Sequence, residues 1–404
     1  MITKIGLAVA LALSVPAGAH AACSYKNTVP LKSLSAGFEA WKAVTGAMSE
    51  CGNFQPELDQ DFGQKEQAAM AAKPALYQIA GVATETIVPL LQDGTIRPLD
   101  GLIAKYGQNL QPNQLIRIDG KTMAIAMMVN TQHLVYRKDI LDELAIQPPK
   151  TYDEMLAAAK KIKDSGKMQY PIGGTFKTGW NLGEEFVNMY LGFGGKFFGD
   201  DNAATVNNEA GVKTLEMLKA LSGYMDPEFL VADSTVVQQQ FQQGKIAMAN
   251  FWASRAGSLE NPAESKVVGK IAVGPAPAAV PGGKPATTIW WDGMTIAANI
   301  SDEQADAAFR LAMEGLKEDM VKANNDAAVW LVKGYKPNDL AQGAFETAKA
   351  GAPAYPATTA MGLLHSAFGD HAGDFLTGKK TAQETLADIE AQYTTAAKEQ
   401  GLIK

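Results

Sequence analysis

Histidine and cysteine are scarce in this 404-residue chain, which has four His and two Cys. The histidines stand at 20, 133, 365 and 371, without metal-site spacing, so neither a metal nor any other cofactor is expected. Past the first two dozen residues no stretch approaches the roughly 20 apolar residues that a membrane span needs, and the mature chain is expected to be soluble. Positive charge is also short: 36 Lys and Arg face 43 Asp and Glu, a net charge of −7, with no basic stripe. That balance argues against nucleic acid and anionic membrane surfaces as partners. Catalytic signatures are missing as well, with no G-x-S-x-G elbow, no H-E-x-x-H and no phosphate loop. The acidic pairs Glu184-Glu185 and Asp200-Asp201 raise a secreted carbohydrate-active enzyme as a remote alternative. Neighbours on a helix diverge by about 100°, so Glu184 and Glu185 cannot flank one glycosidic bond, and no enzyme is expected.

At the N-terminus Lys4 precedes an apolar run from Ile5 to Val15, then Pro16 and the small-residue site Ala19-His20-Ala21. This reads as a secretory signal peptide over 1–22, cut after Ala21 or Ala22, which places the protein in the periplasm. A lipoprotein signal would set a Leu-led apolar pattern before its Cys, whereas Cys23 follows His20-Ala21-Ala22. Export favours thiol pairing, so Cys23 and Cys51 are expected to form a disulfide closing a loop of about 29 residues, worth roughly 3 to 4 kcal/mol. The remaining length exceeds what one hydrophobic core supports and predicts two domains.

Short apolar runs alternate with amphipathic helices, the pattern of an α/β fold with mostly parallel sheets. Thr151 with Glu154, Ser301 with Gln304, and Thr381 with Glu384 read as capping boxes. Asn207 and Asp233 or Ser234 read as further caps, and Gly166, Gly223 and Gly244 as stops. Strands are expected at 29–34, 54–58, 76–82, 246–250, 271–273 and 294–298. In such folds ligands sit at the carboxyl ends of strands.

Five segments follow in order: VNTQHLVYRKDIL (129–141), PPKTYDEMLAAAKKIK (148–163), FQQGKIAMANFWASRAG (241–257), TTIWWDGMTIAANISDE (287–303) and FLTGKKTAQETLADIE (375–390). Together they resemble the carbohydrate-type extracellular solute-binding family that includes maltose-binding protein. The resemblance implies a periplasmic binding protein type II fold, two α/β lobes joined by several hinge crossings. By position the crossings fall near Val129-Asn130, Ala297-Ala298 and Lys336 to Leu340. The N-lobe would comprise 23–129 with 298–337, and the C-lobe 130–297 with 338–404. Implied with the fold is capture of a small carbohydrate or polyol in the cleft of a monomer, and its delivery to the permease of an ABC importer. An anionic sugar derivative or a glycerol phosphodiester is the alternative ligand.

A site for sugars needs aromatic planes for C–H faces and polar groups for hydroxyls. In the family, the loop holding Trp290, Trp291 and Asp292 faces the cleft; alternation along an extended segment would send one Trp into the core, and Asp292 could instead form a turn before Gly293. Trp252 matches a sugar-contacting aromatic position. Arg255 beside it would favour an anionic ligand if it points inward, and is otherwise a surface charge. Thr175 and Trp180 lie in a Gly-flanked loop, with Trp180 either a stacking platform or an anchor for the next helix. From the opposite lobe Ser35, Phe38, Glu39, Gln64 and Thr84 are expected to contribute. Asn130 at the first crossing and Tyr355 at the cleft rim complete the set.

Overall fold

The computed structural model describes residues 23–404, and the signal peptide expected over 1–22 lies outside the described residues. Nine strands form among them: β1 (Asn27–Ser35), β2 (Gly52–Leu58), β3 (Ile79–Ala83), β4 (Leu115–Ile118), β5 (Lys121–Arg137), β6 (Met248–Trp252), β7 (Ile271–Gly274), β8 (Ile289–Ile296) and β9 (Val329–Trp330). The order β2-β1-β3-β8-β5-β4 makes the backbone of the sheet, and β6, β7 and β9 also pair with β5.

The α/β class stands, while the expectation of mostly parallel sheets is corrected to a mixed sheet. Among these nine strands, parallel pairing is confined to β1 with β2 and β3, where a helix follows each strand. Pairs β3–β8, β4–β5, β5–β6, β5–β7, β5–β8 and β5–β9 are antiparallel. One cause is local: Asp119 (φ 50°) and Gly120 (φ 77°) form a two-residue turn that folds β4 directly back onto β5. β5 itself, at 17 residues, is three times an ordinary strand and about 55 Å long. Its first part pairs with β4, β8 and β9, its last part with β6 and β7, and a register shift between Ala126 and Met128 interrupts its ladder with β8.

Helix ends follow the capping chemistry closely. Ser301 and Thr381 form reciprocal capping boxes with Gln304 and Glu384. Thr151 accepts from Glu154 N–H, while the Glu154 carboxylate turns to Lys150 N–H. Asp233 accepts from Thr235 and Val236. One cap shifts: Asn208, not Asn207, accepts from Gly211 N–H, and the Asn207 N–H donates to Glu390. Three large cores result. One packs helices Tyr152–Asp164, Trp180–Gly192, Glu209–Ser222, Thr359–Leu376 and Ala382–Glu399. The other two cover opposite faces of the β1–β3–β8 sheet, one with helices Glu39–Ser49 and Asp302–Gly315. Cys23 and Cys51 are disulfide-bonded, their Cα atoms 5.5 Å apart. No described helix is long and apolar enough to cross a membrane.

Candidate ligand-binding cleft

Side chains alternate along a strand, so Trp290, Asp292, Met294 and Ile296 share one face of β8. Ile296 and Met294 belong to the core built on helix Glu39–Ser49, and Trp290 belongs to the core of the other half. Asp292 sits where one core ends and the other begins, paired with Ala83 of β3 and Met128 of β5. The residue is only 9% exposed, its carboxyl makes no hydrogen bond or ion pair, and burial alone pushes its pKa up to about 7. Trp291 faces the other way and packs, partly buried, against the core that holds Val82 and Ala297.

Beyond Asp292 three indoles converge. Trp180 lies 6.3 Å from Trp252 and 5.6 Å from Trp290, and Trp252 lies 6.2 Å from Trp290, centroid to centroid. Trp252 and Trp290 are 7% and 4% exposed, whereas Trp180 is 42% exposed. Trp180 is the first residue of helix Trp180–Gly192, entered through Gly179 at φ +93°, a conformation that side chains with a Cβ avoid. Its indole N–H donates to Glu85 (2.7 Å), and its ring stacks on His365. His365 Nε2 faces the Trp180 carbonyl (2.8 Å), so that nitrogen carries the hydrogen and Nδ1 accepts from the Tyr355 hydroxyl (2.8 Å).

Under the indoles runs a buried polar network. Glu184 accepts from Thr288 and from the Trp290 indole N–H (3.0 Å), leaving Oε2 without a partner. Glu185 accepts from Gln132 (2.8 Å) and from the Thr175 hydroxyl. Burial raises both carboxyls, Glu184 well above the usual range and Glu185 to about 7. Gln132 also accepts from Asn250 and Asn188. The two glutamates diverge to separate partner sets, as their adjacency on a helix requires.

The remaining expected residues take varied places. Thr175 is buried in the network, away from solvent. Thr84 is also buried, its hydroxyl bound to the Trp291 backbone, and its neighbour Glu85 is the one that reaches the indoles. Tyr355, expected at the rim, is buried against Trp290 with centroids 4.1 Å apart, because its hydroxyl is drawn inward to His365. Ser35 is fully buried against Gly81. Asn130 clasps Ser254, accepting from its N–H and donating to its hydroxyl. Phe38 packs partly against the neighbouring core, while Glu39 pairs with Lys42 and, like Gln64, is exposed. Arg255 donates to Gln238 (3.1 Å) and feels the carboxylates of Asp233 and Glu39, which oppose the lowering of its pKa by burial. Sequence reading missed Gln132, Glu184 and His365; Gln132 was within reach, two residues from Asn130 on the same face of β5. Among the described residues one cluster has metal-ligand spacing, Cys23, Cys51 and Glu314, and the disulfide uses both sulfurs.

Residues 52–313 match the family model of the bacterial extracellular solute-binding protein. The chain belongs to this family. Among solved structures, the solute-binding protein resembles an ABC transporter solute-binding protein from Agrobacterium radiobacter K84 in complex with ribitol. The TM-score is 0.81 at 20% identity, covering 92% of this chain and 100% of that one. It is also similar to the probable amino-acid ABC transporter periplasmic-binding protein y4oP of Sinorhizobium fredii, 27% identical over 40% of this chain and 38% of the relative. A third relative is the sn-glycerol-3-phosphate-binding periplasmic protein UgpB of Agrobacterium fabrum, 30% identical over 40% of this chain and 33% of the relative. These matches span about two fifths or less of the curated relatives' length. The two-lobed fold is borne out, and family and fold are those of substrate-binding proteins rather than enzymes.

Proposed function

We propose that this solute-binding protein captures a small polyhydroxylated compound, a sugar or a polyol, between its two lobes and presents it to an ABC permease. The observation that carries the reading is the 42%-exposed Trp180 indole beside Trp252 and Trp290, with the unpartnered Asp292 carboxyl two residues from Trp290 on the same face of β8. An indole face covers the C–H side of a sugar ring or polyol chain, and a carboxylate accepts from two vicinal hydroxyls. Binding of ribitol by the A. radiobacter protein of the same fold supports this class. The glycerol-3-phosphate specificity of UgpB favours an anion. Against that stands Arg255, whose charge Asp233 and Glu39 already offset, so an anionic group would gain little there.

The lobes are drawn through β5 near Val129-Asn130. The pairing of β8 with β3 from Asp292 to Ile296 supports a second crossing at Trp290-Trp291 rather than at Ala297-Ala298, with a third near 336–340. The working form is a periplasmic monomer. A thermal-shift screen over mono-, di- and trisaccharides, polyols and phosphorylated sugars tests the reading, since a ligand bound only by the folded protein raises Tm by mass action. Neutral compounds are expected to raise Tm, and loss of that shift in Trp180→Ala places them at the indole. A shift with phosphorylated compounds alone would reverse the assignment, and no shift with any would end it.

A further inference from the structure

Resting on the sugar or polyol reading, the charge around the indoles narrows the ligand class. Asp292 is nine-tenths buried, lies on the Trp290 face of β8, and meets no donor. Two further acids engage the same aromatic group. Glu85 reaches the Trp180 indole, Glu184 holds the Trp290 indole, and both act on the Tyr355 hydroxyl. Among the described residues, the basic side chains of these segments have other partners. Arg255 is turned to Gln238, Lys177 lies 3.7 Å from Asp233, and His365 spends both ring nitrogens on Tyr355 and the Trp180 carbonyl.

We propose that the aromatic end of the cleft is built for a polyhydroxylated ligand bearing a protonated amine, an amino sugar or amino polyol, whose ammonium is received by Asp292. A hydroxyl can donate to the carboxylate but leaves its charge buried, whereas an ammonium donates and cancels the charge together. The exposed Trp180 indole, whose π-system carries negative potential, adds a further preference for a cation. Anionic analogues would meet the Asp292 carboxyl, an acceptor with no cation beside it.

The test compares matched ligands by calorimetry on the intact mature protein: glucosamine, glucose and N-acetylglucosamine, and glucamine with sorbitol. In the first set the amine is present, replaced by hydroxyl, or acylated; in the second it is present or replaced by hydroxyl. The amines are expected to bind at least tenfold more tightly than their neutral partners. Asp292→Asn should weaken the amines at least tenfold more than it weakens their neutral partners, which lose only a hydroxyl contact. The comparison of amine with hydroxyl on the unmodified protein stands even if the variant folds poorly. Equal binding of amine and neutral partners, or an equal loss for both in Asp292→Asn, overturns the ammonium and leaves sugar capture intact. Silence from every member of the panel overturns both.

Discussion

An indole that is 42% exposed yet fixed at its N–H, its ring face and its backbone carbonyl is oriented before any ligand arrives. Preorganisation of this kind lowers the ordering cost of binding. Trp180→Ala should weaken a bound sugar or polyol by about 10- to 100-fold, roughly 1.4 to 3 kcal/mol, by titration calorimetry. The unliganded Tm should stay within a few degrees of wild type, since little core is removed. Glu185 gives a second residue-level expectation. Burial raises its pKa from 4.5 to about 7, so the folded protein holds this proton more tightly than the unfolded chain does. Its contribution to stability is therefore complete below about pH 4.5 and is lost as pH climbs through about 7. Glu185→Gln keeps an oxygen for Gln132 and Thr175, so its Tm advantage over wild type should be near zero at pH 4.5 and grow to a few degrees at pH 8. A constant or shrinking advantage would show that the carboxylate is paid no burial penalty. At this scale the sequence revealed the aromatic residues but not their tasks. Thr84 and Tyr355 are polar residues at plausible addresses, and only three-dimensional partners, the Trp291 backbone and His365, show their polar atoms to be occupied.

Two helices carry the indole platform, and their crossing is set by glycine. A Cβ on Gly369 would lie 2.2 Å from the Gly179 carbonyl oxygen, and one on Gly183 would lie 2.5 Å from His365 Cδ2. Helices Trp180–Gly192 and Thr359–Leu376 thus approach as closely as the backbone allows, which is what lets His365 reach the Trp180 carbonyl. Gly369→Ala should force them apart at a cost of about 1 to 3 kcal/mol, read from the urea midpoint. It should also shift Trp fluorescence, whereas an equally destabilising change far from this crossing would not. Element ends were legible because caps are local chemistry: the Ser301 and Thr381 boxes need only four residues each. Strand direction was not. The alternation of apolar runs and helices suits parallel sheets, and the long antiparallel β5 escapes that pattern, since it is buried on both faces over Thr122–Met128 and shows no period of two there.

At the level of the molecule, the two halves touch directly as well as through β5 and β8. Glu85 bonds the Trp180 indole and Gln92 bonds Thr359, each pair joining residues before the first proposed crossing to residues beyond it. These bonds favour the closed arrangement without help from a solute, and a ligand bridging Asp292 and Trp180 adds to the same bias. Apparent affinity then depends on how much of the free protein is already closed, because opening reduces the binding-competent fraction. Glu85→Ala removes one cross-cleft bond and a carboxylate beside Gly362, at the first turn of helix Thr359–Leu376. In small-angle scattering the unliganded variant should show a larger radius of gyration than wild type, and saturating ligand should bring both to the same value. Its apparent Kd should rise by the factor through which the closed fraction falls. A radius unchanged by both mutation and ligand would mean that the halves do not move against each other, and that solute enters by some route other than hinge opening.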